Sequence, residues 1–326
     1  MKKLLKIGAL FLFLGTVLGA CNSKDTKNEK GKQKFKIGIV EFIEHPALDA
    51  TKDGFIERLK ELNLDTEIDF VSAQGDAAQG RLISEKFVKN KSDLIFAIAT
   101  PVAQAAHEVT DEIPILFSAV TDPVDAKLVE SNEKPGKNVT GTSDMAPMKN
   151  QLAMFKKLDP KIKKVGILYS ISEVNSLVQV KQAAEIGKEL GLEIKDMGIS
   201  DINEVPQAVL SLMEKVDAIY TITDNMTAKA INVIGEKTLE KKMITVGAEV
   251  AHLKGGILIT DGISYKELGK QTAEMAKKIL VDGVKPSDIP VEKGKVTKRE
   301  YNEETLKILG LDKNAEIFKG AKAISN

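Results

Sequence analysis

Residues with hydroxyl, amide and carboxylate side chains follow most of the short apolar segments of this chain. The hydroxyl and amide groups, which can hold a ligand carboxylate, belong to Thr100, Ser118, Thr121, Asn175 and Ser176. The carboxylates, which can hold an ammonium group, belong to Glu44, Asp224 and Asp261. Both kinds of contact are charge-assisted hydrogen bonds. The combination predicts a noncovalent binding site for a small zwitterion.

The same turns contain five further candidates for ligand contact, which are Phe42, His45, Asp122, Ser172 and Asn225. A phenylalanine at position 42 could stack on an aromatic ligand, although a Phe at a strand end is as often part of the core. His45 follows Glu44, but adjacent side chains seldom point to one reacting atom. We therefore expect His45 to contact ligand or to cap a helix. Ordinary helix capping is the alternative for each polar candidate.

Signatures of catalysis, metal binding and nucleic-acid binding are missing from the sequence. One Cys and three scattered His residues provide no metal-ligand cluster, so no metal or other cofactor is expected. The sequence contains no GxSxG, HExxH, GxGxxG or CxxC motif. Residues 75–82 have the glycine spacing of a P-loop, but Arg81 and Leu82 replace its Lys and Ser/Thr. Because 47 basic residues balance 47 acidic ones, no strong positive field attracts nucleic acid. We expect neither an enzyme nor a nucleic-acid-binding protein.

From Phe35 onward, short apolar segments alternate with longer amphipathic ones. Candidate strands cover residues 35–42, 66–73, 93–100, 113–120, 163–170, 192–199, 216–223, 243–249 and 255–262. Candidate helices cover residues 48–62, 79–89, 103–110, 174–190, 228–241, 265–281 and 303–309. Near-continuous apolar strands separated by helices indicate parallel sheets covered on both faces. The pattern predicts an α/β fold.

The alternation occurs twice, and the polar segment 138–144 lies between the two sets. We therefore predict two doubly wound parallel-sheet lobes joined by a multi-strand hinge. Residues 35–143 with 263–284 would form lobe 1, and residues 144–262 with 285–326 would form lobe 2. Ligands of open parallel sheets collect at the carboxyl ends of the strands. The candidate residues are therefore expected to face a cleft between the lobes.

The first 21 residues have the layout of an export signal, with three early lysines and an apolar run before the single cysteine, Cys21. The segment Leu18-Gly19-Ala20-Cys21 resembles the bacterial lipobox, which implies cleavage before Cys21 and lipidation of its thiol. The alternative is an uncleaved signal anchor. Residues 22–34 contain no apolar side chain and are predicted to be a flexible tether. We expect a lipid-anchored protein on the extracytoplasmic face of the cell membrane.

Ten short segments together resemble the motifs of one known family. In the first half they are EHPALD (44–49), AQGD (73–76), IATPVAQAA (98–106), FSAVTDP (117–123) and NVTG (138–141). In the second half they are VGILY (165–169), NS (175–176), DAIY (217–220), TDN (223–225) and YKELG (265–269). The chain from residue 35 to 311 thus resembles the ABC-transporter substrate-binding proteins of the tryptophan/tyrosine-type class.

The resemblance implies a type I periplasmic-binding-protein fold that closes on a small ligand. It also implies a monomer that delivers this ligand to a membrane permease and its ATPase. The implied ligand is an aromatic amino acid, namely tryptophan, phenylalanine or tyrosine. The alternatives are a nucleoside, a sugar or another amino acid as ligand, or a surface receptor that presents its ligand to a sensor protein. Nucleoside and sugar sites usually stack the ligand on several aromatic rings, and this chain has 4 Tyr, 11 Phe and no Trp.

Overall fold

The structure is a computed structural model and describes residues 34–325. The predicted signal peptide, Cys21 and residues 22–33 of the predicted tether lie outside the described residues. Within the described range, no helix is both long and apolar enough to cross a membrane.

Strands and helices alternate along the described chain, as the hydrophobic pattern predicts. The strands are β1 (Phe35–Glu41), β2 (Thr66–Ser72), β3 (Leu94–Ile98), β4 (Ile115–Ser118), β5 (Val139–Ser143), β6 (Lys164–Ser170), β7 (Glu193–Ile199), β8 (Ala218–Thr221), β9 (Ile244–Glu249), β10 (Ile259–Ile263), β11 (Glu292–Lys293), β12 (Thr297–Asn302) and β13 (Lys322–Ile324). The helices are α1 (Pro46–Glu61), α2 (Ala77–Lys89), α3 (Thr100–His107), α4 (Met148–Leu158), α5 (Val174–Glu189), α6 (Val205–Met213), α7 (Asn225–Lys229), α8 (Ile231–Glu240), α9 (Tyr265–Leu280) and α10 (Glu303–Leu309).

The first sheet forms lobe 1 and has the order β11-β5-β4-β3-β1-β2, with all neighbours parallel. Both of its faces are covered. A Cβ on Gly38 of β1 would point into the ring of Phe87 in α2, whereas Glu41 of the same strand meets Lys52 of α1 on the other face. Since side chains alternate along a strand, helices lie on opposite faces of the sheet. This arrangement explains why its central strands β1, β3 and β4 are largely apolar.

Helix α9 packs against α1 through two glycines and is thereby held in lobe 1. A Cβ at Gly269 of α9 would lie 1.9 Å from the carbonyl oxygen of Thr51, and one at Gly54 of α1 would lie 2.1 Å from that of Lys266. Side chains at these positions would push the two backbones apart. The close contact therefore fixes the position of Tyr265, the first residue of α9.

The second sheet forms lobe 2 and has the order β13-β12-β10-β9-β8-β6-β7. Its neighbours are parallel except for the antiparallel pair β10 and β12. Its core includes Phe155 and Tyr220, whose rings meet edge to face with centroids 6.5 Å apart. The predicted α/β fold with two parallel-sheet lobes is confirmed.

Three crossings join the lobes, at residues 144–147, at Ser264 and at residues 294–296. The last crossing differs from the predicted boundary, which assigned residues 285–326 to lobe 2. Residues 285–293 instead stay with lobe 1, because β11 pairs in parallel with β5, matching Glu292 to Thr142. This pairing adds a strand to the first sheet before the chain crosses for the third time.

The segment 138–144 is also more regular than the polar crossing that its composition predicts. Its residues 139–143 form the fully buried strand β5. Their hydroxyl groups are satisfied inside lobe 1, since Thr140 donates to the Ile289 carbonyl and Ser143 donates to the Thr121 carbonyl. Buried polar side chains with partners are compatible with a core strand.

Candidate functional site

The carboxyl ends of the strands from both lobes meet around a small enclosed cavity. Its free volume is about 10 Å³, the room of about one water molecule. Both lobes and the first crossing contribute to its lining, which consists of His45, Leu48, Ala119, Asp144, Asn175, Thr223, Asp224, Asn225, Ala228, Glu249 and Tyr265. The lobes are therefore closed on each other, and a ligand larger than water needs them to separate before it can enter.

Three hydrogen bonds cross directly from lobe 1 to lobe 2 around this cavity. His45 Nε2 lies 3.4 Å from Asn225 Oδ1, and the hydroxyl groups of Thr121 and Thr223 lie 3.3 Å apart. The ammonium group of Lys229 donates to the Glu44 carbonyl oxygen at 2.7 Å. Long or solvent-exposed contacts of this kind are weak one by one, so the closed arrangement can open at modest cost.

Carboxyl groups dominate the electrostatics of the cavity. Tyr265 donates from its hydroxyl to Asp144 Oδ2 at 2.6 Å. Glu249 also lies beside that hydroxyl, and its Oε1 lies 2.7 Å from His252 Nε2. His252 contacts the Thr221 hydroxyl through Nδ1 at 2.8 Å. The lining itself contains no Lys or Arg side chain, so the cavity favours a cation.

Burial and these neighbours shift the proton affinities of the cavity groups. Burial raises the pKa of Asp144 to about 6, although the hydrogen bonds from Tyr265 and Thr121 oppose the increase. Burial also works to raise the pKa of Glu249, but the combined effects of His252, His45 and the Tyr265 hydroxyl outweigh it and hold that pKa below its usual value. For His45, burial lowers the pKa. At neutral pH the cavity therefore contains ionised carboxylates beside a neutral His45.

A second network supports the start of α7 in lobe 2. Asp224 caps this helix, because its Oδ1 accepts from the backbone of Thr227 while its Oδ2 accepts from Ser176 Oγ at 2.6 Å and from the backbone of Ser170 at 2.7 Å. Glu173 accepts hydrogen bonds from the backbone and the side-chain amide of Asn225. Burial raises the pKa of Glu173 to about 8, and the negative charge of Asp224 adds to the increase.

Two acceptors at the cavity remain without a hydrogen-bond partner. They are Asp144 Oδ1 and Asn175 Oδ1, and both side chains are buried. Unpaired buried acceptors are costly, and an ammonium group supplies several donors at once. The hydroxyl of Thr100 is also buried and unpaired at the first residue of α3, where the helix dipole favours a carboxylate. The arrangement can therefore hold an amino group, and it offers a separate position for an acid group.

The backbone is strained where β3 and β4 reach the cleft. Ala99 has φ of 88° and Ala119 has φ of 58°, values that residues other than glycine seldom adopt. Strain of this kind is typical of binding sites, where the surrounding structure holds an unusual backbone geometry. Here Ala119 itself lines the cavity, and Ala99 directly precedes α3.

The structure brings four of the predicted site residues into the cavity lining, namely His45, Asn175, Asp224 and Asn225. Thr121 is buried beside them and reaches across to lobe 2. The Asp224 carboxylate is satisfied by protein donors on both oxygens, so its visible role is to cap α7 and orient Ser176. The sequence pattern predicted these residues at strand ends but did not distinguish capping from ligand contact.

The remaining predicted residues have other partners in this structure. Phe42 belongs to the core of lobe 1, and Ser118 bonds the Thr142 hydroxyl. Asp122 caps its own turn by accepting from the backbone of residues 124 and 125. Asp261 pairs with Arg299 at 3.1 Å. The last two residues, Glu44 and Ser172, are exposed. Glu44 accepts a hydrogen bond from the Gln74 side chain, and the Ser172 hydroxyl bonds the Ser170 hydroxyl.

Sequence reasoning missed Asp144, Glu249 and Tyr265 as site residues. Glu249 ends β9 and was visible as a strand-end carboxylate. Asp144 lies at the first crossing between the lobes and Tyr265 directly follows the second, so both crossings had to be located first. Among residues 34–325, no group of three or more His, Cys, Asp and Glu side chains is arranged to hold a metal ion.

A larger open groove of about 690 Å³ lies elsewhere, where residues 111–114 and 136–138 meet residues 279–287. Its lining comes from lobe 1 alone, at the amino ends of β4 and β5. The cavity between the lobes is the candidate site, because it joins both lobes and contains buried acceptors without partners.

Two parallel-sheet lobes with a site between them and three crossings define a type I periplasmic-binding-protein-like fold. The chain belongs to the family of ABC transporter substrate-binding proteins, whose model matches residues 36–324. It is 40% identical over 313 residues to a tyrosine-binding protein of Clostridioides difficile (strain R20291), covering 94% of this chain and 90% of that protein.

Two solved structures of this kind of protein differ in how well they match. An ABC domain from Streptococcus pneumoniae in complex with L-Trp is 33% identical, with a TM-score of 0.86 over 90% of this chain and 100% of its own. The ligand-free, open structure of a substrate-binding protein with adhesive properties from C. difficile is 42% identical, yet its TM-score is 0.70 over 90% and 99% of the two chains. The lower score at higher identity indicates a different lobe arrangement, as expected if the lobes of the present structure are closed.

Proposed function

We propose that this protein captures an aromatic amino acid, with tyrosine and tryptophan as the first candidates and phenylalanine as the third, between its two lobes. The observation that carries the proposal is the buried carboxylate of Asp144, whose Oδ1 has no hydrogen-bond partner and faces a cavity with no Lys or Arg. A ligand ammonium group satisfies both the charge and the unpaired acceptor. The Thr100 hydroxyl and the start of α3 are the candidate partners of the ligand carboxylate.

The names of the relatives support the aromatic class. The protein of C. difficile that is 40% identical is named for tyrosine, and the S. pneumoniae structure contains L-Trp. The cavity offers Leu48, Ala119 and Ala228 as apolar surface and has Tyr265 as its single aromatic ring. Stacking of a nucleoside base or a sugar between several rings is therefore less well supported than an amino acid.

Ligand entry in this proposal requires the lobes to open. The closed cavity has room for about one water molecule, so the amino acid binds an open form and the lobes then close with its charged groups inside. A ligand that interacts with both lobes favours the closed form by its differential affinity for the two states.

The cellular role follows from the family and from the amino-terminal sequence. We infer that a lipid on Cys21 anchors the protein at the extracytoplasmic face of the membrane, and that the monomer delivers its ligand to an ABC permease and ATPase for import. A Cys21→Ala variant should lose the lipid and lower the uptake of labelled tyrosine by cells. Uptake that does not depend on this protein would instead favour a receptor that presents ligand to a sensor.

Thermal denaturation tests the ligand class. The chain from residue 22 is unfolded and refolded to remove any carried ligand, and its Tm is measured with each of the twenty amino acids, several nucleosides and several sugars. A ligand at about 1,000 times its Kd adds roughly 4 kcal/mol, and each kcal/mol raises Tm by about 2 to 4 °C. We expect shifts confined to aromatic amino acids. A shift only with nucleosides or sugars would overturn the substrate class and leave the fold unaffected.

A further inference from the structure

Tyr265 occupies a special position at the boundary between the lobes. It is the first residue of α9 and directly follows the second crossing at Ser264. Its ring is buried, and its hydroxyl donates to Asp144, which directly follows β5 at the first crossing. One hydrogen bond of 2.6 Å thus joins two of the three crossings between the lobes.

The same hydroxyl also meets a carboxylate from lobe 2. Glu249 ends β9 and lies beside Tyr265. A phenol has one proton to donate, and this proton is directed to Asp144. Glu249 Oε1 also lies 2.7 Å from His252 Nε2. Tyr265 is therefore placed between a crossing and lobe 2 in the closed arrangement.

The hydrogen bond determines which oxygen of Asp144 is free. Oδ2 is held by Tyr265, so Oδ1 remains without a partner. The tyrosine ring cannot move freely, because α9 is fixed against α1 by the close contact at Gly269. The protein itself, through Tyr265, therefore sets the orientation of the Asp144 carboxylate before any ligand binds.

We propose that Tyr265 is a positioning residue that holds Asp144 so that its free oxygen receives the ligand ammonium group. Because the hydroxyl lies beside Glu249 of lobe 2 in this closed arrangement, it also connects recognition of the amino group with closure. This inference rests on the proposed function. It adds a specific claim, that Tyr265 determines the preference for a ligand with an amino group.

The test compares three ligands that differ by one group each, with all three binding constants measured by titration calorimetry. They are L-tyrosine, its des-amino analogue 3-(4-hydroxyphenyl)propionate, and tyramine, which lacks the carboxylate. The variant is Tyr265→Phe, which removes only the hydroxyl. Tyr220→Phe is the matched control, since Tyr220 is equally buried and donates to Gln151 at 2.5 Å inside lobe 2.

Wild type and Tyr220→Phe should prefer L-tyrosine to the des-amino analogue by the same factor. In Tyr265→Phe this preference should shrink by about tenfold, because a misoriented carboxylate loses a charge-assisted hydrogen bond. The preference for L-tyrosine over tyramine should not change in either variant. A loss that affects all three ligands equally would show a general structural effect and overturn the positioning role.

The proposal and the function it rests on fail in different ways. If wild type binds none of tyrosine, tryptophan and phenylalanine, the proposed function fails and the role of Tyr265 fails with it. If wild type prefers L-tyrosine and Tyr265→Phe keeps that preference unchanged, only the positioning role is overturned. Should Tyr265→Phe not fold, Asp144→Asn provides the second test, since an unchanged preference there would exclude Asp144 as the ammonium partner.

Discussion

The ammonium group of Lys229 lies 2.7 Å from the carbonyl oxygen of Glu44, and this contact joins lobe 2 to lobe 1 at the edge of the cavity. Lys229 is exposed, whereas the neighbouring interlobe contact of His45 with Asn225 is buried. The edge of the closed cleft is thus held by a polar contact that water can replace. Such a contact is suited to a site that must open to bind and to release its ligand.

We expect Lys229→Met to speed ligand release without unfolding the protein. The contact exists only when the lobes are closed, and an exposed interaction of this type contributes at most about 1 kcal/mol. Dissociation of tyrosine, followed by stopped-flow fluorescence, should therefore become about two- to fivefold faster. Lys237→Met is the control, because Lys237 forms its ion pairs within α8. Equal rates in both variants and wild type would show that the Lys229 contact does not hold the lobes together.

The affinity for tyrosine should fall as the pH is lowered through 6. The pKa of Asp144 is raised to about 6 by burial, and the ammonium group binds its ionised form, so protonation competes with the ligand. At pH 5 about one-tenth of Asp144 is ionised, which predicts roughly tenfold weaker binding than at pH 7. Protonation of His45 acts in the same direction.

Calorimetric titrations between pH 5 and pH 8 measure this dependence. Asp144→Asn should flatten the profile and weaken binding at pH 7. The des-amino analogue serves as the ligand control, since it has no ammonium group for Asp144 to bind. A tyrosine affinity that is constant from pH 5 to pH 8 would remove Asp144 from the binding site.

Asp224→Ala should lower both stability and affinity. The Asp224 carboxylate accepts from Ser170, Ser176 and Thr227, so its removal leaves three donors without their partner and removes the cap of α7. Losses of this type predict about 2 to 4 kcal/mol of destabilisation. The affinity should fall more than about tenfold because Asn225 and Thr223 move with the start of α7.

Chemical denaturation and calorimetry separate the two effects of Asp224→Ala. Ser176→Ala removes one of the three hydrogen bonds and should show a smaller change in the same direction. Unchanged stability in Asp224→Ala would contradict its role as the cap of α7. Unchanged affinity would show that the start of α7 does not contribute to ligand binding.

Glu41→Gln should stabilise the protein at high pH. Glu41 is fully buried, neither carboxylate oxygen has a hydrogen-bond partner, and burial raises its pKa to about 8 despite Lys52 at 3.7 Å. A raised folded-state pKa means that the stability present at low pH is lost as the pH rises through 8. The variant avoids this loss and should be more stable at pH 9 by on the order of 2 kcal/mol.

Urea denaturation at pH 5 and pH 9 measures the free energy of unfolding and tests whether the variant is the more stable protein at high pH. At pH 5 the variant and wild type should be similar, because Glu41 is then protonated. Glu57→Gln is the control, since Glu57 is ion-paired with Lys266 and Lys270 at the surface and should show no gain at pH 9. A variant that is less stable than wild type at pH 9 would contradict the unfavourable burial of ionised Glu41.

The two-lobed fold was predictable because each strand and helix can be recognised from the hydrophobic pattern of its own short segment. Strand β3 is apolar throughout and β1 largely so, and the helices between them show an amphipathic pattern. The strand β5 was not recognised, because its Thr and Ser side chains appear solvent-exposed in sequence and find their partners only in the folded lobe. The short strand β11 was missed for a similar reason, since its two residues are defined by pairing with β5.

The binding site was only partly predictable. Four residues predicted from strand-end positions, His45, Asn175, Asp224 and Asn225, line the cavity. Whether a carboxylate is free depends on contacts that are distant in sequence, as for Asp261, which pairs with Arg299 across β10 and β12. The pair of Asp144 and Tyr265, separated by 121 residues, depends on two crossings that meet only in three dimensions.

A crystal structure of the refolded protein with L-tyrosine would show directly whether Asp144 binds the ligand ammonium group. We expect tyrosine between the lobes, with its ammonium nitrogen within about 3 Å of Asp144 Oδ1 and its carboxylate at the start of α3. The Tyr265 hydroxyl should still donate to Asp144 Oδ2. An amino acid bound outside the interlobe cavity, or bound there with its ammonium group away from Asp144, would exclude Asp144 as the ammonium partner.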